Sequence, residues 1–301
     1  MTKPFLSLSR KWDRRIKRAG QLAGQYPFAS EILTFYSKLA AFQQEFDFRL
    51  QSTLGSTTNG LGNGRLSPEL NSRDLERLMP ELRPFLAFLV LEGPAAMADF
   101  AARHEKNDFG EWAGLLKQFW RRTDRDDREP NETDAGSARL VPSQAGTTSS
   151  DGGLRRFIAL AFLQPYVEYL AQGADMSQPG ARRPLCIFCS SKPLVGVLRP
   201  EGDGAKRSLL CSFCFSEWDY LRIACPACGE SREERMCVYQ ATQFEHIRVE
   251  ACETCRTYLK TIDLTKNGLA IPEVDELAAI PLSIWADGQG YTKLSRNTFG
   301  S

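Results

Sequence analysis

Eight cysteines stand in four pairs, each with two residues between its members: Cys186/Cys189, Cys211/Cys214, Cys225/Cys228 and Cys252/Cys255. Such a pair forms a tight turn that aims two sulfurs, with nearby backbone N–H groups, at one point. A second turn brought opposite by a hairpin completes a tetrahedral site suited to zinc or iron. Residues 190–210 place 21 positions between the first two pairs, and residues 229–251 place 23 between the last two. Only ten, 215–224, separate the halves. The spacing therefore predicts one metal at Cys186, Cys189, Cys211 and Cys214 and another at Cys225, Cys228, Cys252 and Cys255. Interleaved pairing is the alternative. Units of this size lack the core area to fold alone, which a structural metal offsets.

The segments between pairs read as hairpins. Leu194 to Arg199 favours a strand, residues 201–204 a turn, and Ser208 to Leu210 the return. In the second half, Met236 to Ala241 and Phe244 to Ala251 repeat the pattern around Thr242 and Gln243. The N-terminus, MTKPFLSLSRKWDRRIK, carries no long apolar segment ahead of its charges, so a reducing compartment is expected. There, paired thiols bind metal rather than form disulfides. A thioredoxin-type motif would use one pair opening a helix, which four pairs around hairpins do not match. The ninth cysteine, Cys237, is expected to be a small buried thiol. His246, on the strand opposite, is not needed as a ligand where four cysteines serve each site.

The chain before the cysteines reads as helical. Ile32, Phe35, Tyr36, Leu39, Phe42, Phe46 and Leu50 recur every three or four residues, with Lys38, Gln43 and Glu45 off that stripe. Ile16, Ala19, Ala23 and Tyr26 mark an earlier helix ending at Pro27. Asn71 and Ser72 are capping residues ahead of Leu75, Leu78 and Met79. Pro80, Pro84 and Pro94 are expected to break the next stretch into short helices. Trp112, Leu115, Leu116 and Phe119 give a further helix, and Leu154 to Leu170 another, with Pro165 inside it. The expected division is a helical domain over 1–180 with flexible loops near 51–70 and 121–153. A first four-cysteine unit comes next over 181–223, and a second over 224–301 with a C-terminal extension. The fold class is α+β: a helical N-terminal domain, then two small rubredoxin-like or zinc-ribbon β modules.

Several functions are disfavoured. No nucleotide loop, dinucleotide fingerprint or HExxH motif occurs, and His104 stands alone as an expected surface residue. No apolar run is long enough for a membrane helix. With 38 Lys and Arg against 37 Asp and Glu, the chain lacks a general basic surface. Residues 182–260 hold twelve basic and ten acidic side chains, so eight thiolates around two divalent cations leave that region net negative. A zinc-ribbon that binds nucleic acid is therefore a poor reading. Trp218 and Tyr220, between the halves, are expected to pack the two units together.

Three strings carry a family resemblance: CSFCFSEWDYLRIACPACGE, HIRVEACETCRTYLKTIDL and EVDELAAIPLSIWADGQGYTKL. Together with YPFASEILTFYSKLAAFQ and FLQPYVEYLA in the helical part, they resemble the FdhE family. These are accessory proteins in the formation of formate dehydrogenase. The resemblance implies a non-enzymatic, cytoplasmic protein that binds the enzyme's catalytic subunit. It also implies two metal ions per chain, iron or zinc, held by the eight paired cysteines. A rubredoxin-like electron-transfer role is the alternative. One departure is visible: the first turn reads CIFCSSKP, with Ser190 where the family has glycine.

Overall fold

The structure, a computed structural model, describes residues 3–54, 70, 72–105, 109–122, 148–172, 174 and 183–300. Helix α1 (Lys3–Gln25) ends ahead of Pro27, where a 3-10 turn (Pro27–Ala29) leads into α2 (Ser30–Leu54). Then come α3 (Ser72–Glu92), α4 (Ala95–His104), α5 (Phe109–Arg122) and α6 (Thr148–Ala171). Strands β1 (Pro193–Glu201), β2 (Gly204–Cys211) and β3 (Glu217–Asp219) come next, then β4 (Met236–Gln240), β5 (Ile247–Cys252) and β6 (Thr257–Asp263). Helices α7 (Pro272–Ala278) and α8 (Ile280–Gly288) precede a last short strand, β7 (Thr292–Lys293). The architecture is helical first and sheet-containing second, as expected.

Two helical expectations need correction. Pro80 and Pro84 do not break α3; only Pro94 stands at a helix start. Both interior prolines are exposed, while Leu75, Leu78, Leu82, Phe85, Leu86 and Leu89 are buried. The two lost backbone bonds thus fall on the solvent face, and apolar burial on the other face outweighs them. The segments read as loops are also shorter than expected, since α2 continues to residue 54 and α6 begins at 148. The rest of those two stretches, Asn71 and most of the linker near 171–184 lie outside the described residues.

Two polar side chains read as peripheral are structural. Gln43 is buried, and its Nε2 donates to Ala161 O at 2.7 Å, tying α2 to α6. His104 is half-buried rather than solvated: it stacks on Phe100 at 4.1 Å and donates from Nδ1 to Phe100 O at 2.8 Å.

All seven strands form one sheet in the order β3-β2-β1-β6-β5-β4, with β7 also paired to β6. Each half is a three-stranded antiparallel meander, β1-β2-β3 and β4-β5-β6. The third strand of each went unread in the sequence, although Thr257, Tyr258, Thr261 and Ile262 are strand formers. The halves join through a parallel pair, Gly196↔Thr261 to Leu198↔Asp263. Gly196 is required at this seam, because a Cβ there would sit 2.4 Å from Thr261 Oγ1.

Two cores run across these elements. Phe35, Leu39 and Phe46 of α2 pack with α3 to α6 and with Cys186, Phe188, Cys211, Phe213 and Trp218. Leu33, Tyr36 and Ala40, on the other face of α2, pack with Trp12 and Leu22 of α1, the sheet residues Val195, Val249 and Ile262, and Val274 and Leu277 of α7. Buried ion pairs bind α1 to both sides. Arg15 reaches Glu168 of α6 at 2.9 Å and Glu273 of α7 at 2.5 Å. Arg18 donates to Asp275 at 2.9 Å. Burial opposes ionisation of Glu168, but the Arg15 and Lys11 cations outweigh it and hold the carboxyl below its usual range.

Candidate metal centres

Each CxxC turn is built alike. The residue after the second cysteine is left-handed in all four: Ser190 (φ 61°), Phe215 (φ 52°), Gly229 (φ 78°) and Arg256 (φ 56°). In three of them its N–H donates back to the carbonyl of the first cysteine at 2.9 Å: Ser190 to Cys186, Gly229 to Cys225 and Arg256 to Cys252. The first cysteine's own N–H bonds forward in three turns, Cys186 to Ser191 O, Cys211 to Ser216 O and Cys225 to Glu230 O, at 2.8–2.9 Å. The turn is therefore closed at both ends, and its reversal needs a positive φ that only glycine adopts without strain. Ser190 meets that requirement despite its side chain. Phe215 and Arg256 do the same, which a search for glycine alone would miss.

The turns converge as the spacing predicts. The four sulfurs of Cys186, Cys189, Cys211 and Cys214 lie within 4.8 Å of one another, and so do those of Cys225, Cys228, Cys252 and Cys255. In the first group, Cys186 is 3.6 Å from Cys214, and Cys189 is 3.4 Å from Cys211 and 3.6 Å from Cys214. In the second, Cys225 is 3.6 Å from Cys255 and Cys228 is 3.7 Å from Cys252. A tetrahedron with metal–sulfur bonds of about 2.3 Å has edges of about 3.8 Å, so both groups are the right size for one four-thiolate ion. Backbone amides point at the sulfurs: Phe213 N–H to Cys211 at 3.3 Å and Ala227 N–H to Cys225 at 3.4 Å.

The electrostatics suit a cation. Hydrogen bonds from the Cys189, Cys211 and Cys214 thiols hold Cys186 far below the usual thiol range, while burial pushes Cys211 and Cys214 up. Burial likewise raises Cys225 and Cys228. Four sulfurs this close together ionise fully only when a metal takes up the charge. Iron and zinc both meet this donor set.

The remaining residues singled out in the sequence stand elsewhere. Cys237 is in neither group and, contrary to expectation, is half-exposed on the edge strand β4. His246 turns away from both groups and pairs with Asp275 at 2.8 Å. Tyr220 does connect the halves: its hydroxyl donates to Cys225 O at 3.4 Å and its ring lies under Arg207. Trp218 packs into the helical core instead, and donates from Nε1 to Arg183 O at 3.0 Å. Besides the β1–β6 pair, Arg207 of β2, unremarked in the sequence, ties the halves together. It donates to Leu221 O at 2.8 Å, Ala224 O at 3.2 Å and Glu250 of β5 at 2.6 Å.

Among the described residues no helix is long and apolar enough to cross a membrane. Comparison with known proteins gives one consistent picture. Residues 223–299 match the family described as "FdhE, C-terminal domain". The FdhE homolog of Aquifex aeolicus is 25% identical over 292 residues, 95% of this chain and 94% of that protein. That of Edwardsiella ictaluri is 27% identical over 296 residues, covering 97% and 89%. The crystal structure of the FdhE protein from Pseudomonas aeruginosa has the same fold, with a TM-score of 0.63, 23% identity, and 97% and 96% of the two chains covered. With relatives aligned end to end, and the C-terminal match spanning the second cysteine group, this chain is similar to FdhE proteins along nearly its whole length.

Proposed function

We propose that this protein is an accessory factor in the formation of active formate dehydrogenase, acting in the cytoplasm by binding the catalytic subunit. The observation that carries the reading is the near full-length similarity to FdhE proteins, joined to two four-sulfur groups of metal-binding size. The eight paired cysteines bind two ions, iron or zinc, which hold the sheet half in shape for docking. In this reading the protein catalyses no reaction of its own. Residues 1–180, 181–223 and 224–301 serve as a helical scaffold and two metal units.

The test is a deletion in a host that makes a formate dehydrogenase and has no second copy of this gene. Enzyme activity should be lost while the catalytic polypeptide is still made, and purified protein should capture that polypeptide. Normal activity in the deletion strain would refute the assignment. A second reading, rubredoxin-like electron transfer, is favoured by one observation: Cys228 is exposed. Metal analysis and an absorbance spectrum of anaerobically purified protein decide it. Visible thiolate-to-iron bands support the redox role, and a colourless zinc protein removes it.

A further inference from the structure

The two centres differ in how their sulfurs are covered. All four cysteines of the first are buried, within the core shared with the helices. In the second, Cys225 and Cys252 are buried, Cys255 is half-exposed and Cys228 is exposed.

A second difference lies at the position two residues after the second cysteine of each turn. In the first centre both such residues are serines, with Ser191 Oγ 3.3 Å from the Cys189 sulfur and Ser216 Oγ 3.2 Å from that of Cys214. Each hydroxyl can donate to a metal-bound thiolate. In the second centre Thr257 holds this position after Cys255, again with a hydroxyl that can donate. At Cys228 the corresponding residue is Glu230, which has no hydroxyl. Its carboxylate is taken up by Arg232 at 2.7 Å and Thr254 at 2.7 Å. A carboxylate accepts and does not donate, so no hydroxyl at this position can donate to the Cys228 sulfur. Hydrogen bonds around a metal centre hold its ligands in place and typically change metal affinity by about 10–100-fold.

We propose that Cys228 is a displaceable ligand, and that the second centre accepts an external soft donor, a single thiolate, in its place. The first centre is closed to such ligands. In the exchange the incoming thiol gives up its proton as its sulfur binds the metal, and the Cys228 thiolate takes up a proton as it leaves. The metal keeps four ligands and its oxidation state. Cys225 and Cys252, both buried, hold it throughout, with Cys255. The proposal rests on the metal-binding reading above.

The test uses the full-length protein loaded with two zinc ions. Release to a chromogenic chelator, 4-(2-pyridylazo)resorcinol, should be biphasic, with one ion per chain leaving at least about tenfold faster than the other. Limited iodoacetamide labelling, read by peptide mass spectrometry, should modify Cys228 first among the eight ligands, with Cys237 as a free-thiol control. Glu230→Ser, which restores a hydroxyl at the exposed surface, should slow the fast phase and leave the slow phase unchanged. Two bound ions released in one phase, or first-centre cysteines labelled as fast as Cys228, would overturn the proposal. Failure to bind two ions at all would overturn the metal-binding reading itself, and this inference with it.

Discussion

At the scale of single residues, the four left-handed positions show what a CxxC turn requires. Three of the four are not glycine, so the local cost of about 1–2 kcal/mol for a side chain in that region is borne by the ligated turn. Gly229→Ala should therefore destabilise the metal-loaded protein by about 1 kcal/mol in urea unfolding and leave two metals bound. No change in midpoint would mean that the turn reverses without the left-handed residue. A second residue-scale expectation concerns acid. Glu276 is fully buried against Lys260 at 2.8 Å and Lys293; burial opposes its ionisation, but the two cations outweigh it and lower its pKa to about 2. A folded-state pKa below the unfolded value means stability that is present above about pH 4.5 and lost as pH falls toward 2. Glu276→Gln should lower stability at pH 6 and narrow the gap to wild type at pH 3, measured by urea unfolding at both. A pH-independent gap would show that the charge at Glu276 does not carry the effect. Spacing alone revealed the eight cysteines and their grouping. It could not reveal Ser191, Ser216 and Thr257, since hydroxyls beside a knuckle look like ordinary loop residues until the turn is folded.

Among the elements, the parallel seam between β1 and β6 is a tight contact. Two meanders meet there over three residue pairs, and Gly196 has no room for a side chain against Thr261. Gly196→Val should cost about 1–3 kcal/mol by overpacking and make the segment between the units easier to cleave in limited proteolysis. Unchanged protease resistance would show that Arg207 and Glu250 hold the halves together without the seam. The sequence disclosed the two hairpins because each is bracketed by cysteine pairs. It did not disclose β3, which is only three residues long, nor β6, despite its strand formers, and the seam escaped because pairing between distant strands leaves no local periodicity. The helical stripes were legible for the same reason in reverse: α2 repeats every three to four residues. α3 was misread because propensity at Pro80 and Pro84 spoke against a helix that burial on the opposite face sustains.

For the molecule as a whole, α1 is the strap. Its side chains Arg15 and Arg18 reach an acidic residue of α6 and two of α7, elements more than 100 residues apart in the chain. Arg15 is buried between Glu168 and Glu273, so Arg15→Met would leave two buried carboxylates short of a cation. Loss of one partner from such a set costs about 3–5 kcal/mol. The expected outcome is a drop in melting temperature with both metals retained; an unchanged melting temperature would refute the strap. In the EVDEL string, Glu273 and Asp275 meet these α1 cations, and Glu276 meets Lys260 of β6.

The strand order has a further consequence. Written as 3-2-1 and then 6-5-4, it sets one meander beside the other by sideways translation, first strand against third. Translation, unlike rotation, leaves unlike ends: β4 presents at one rim the kind of edge that β1 offers at the seam, and β3 presents at the other the counterpart of β6. Such a tiling rule has no built-in stop and could in principle run on from chain to chain. Here the rim that would have to receive the next tile is cut to three residues, against seven in β6, and its acidic pair is already committed, Glu217 to Arg199 and Asp219 to Lys206. A short, charged rim is how a sheet of this kind ends its own lattice.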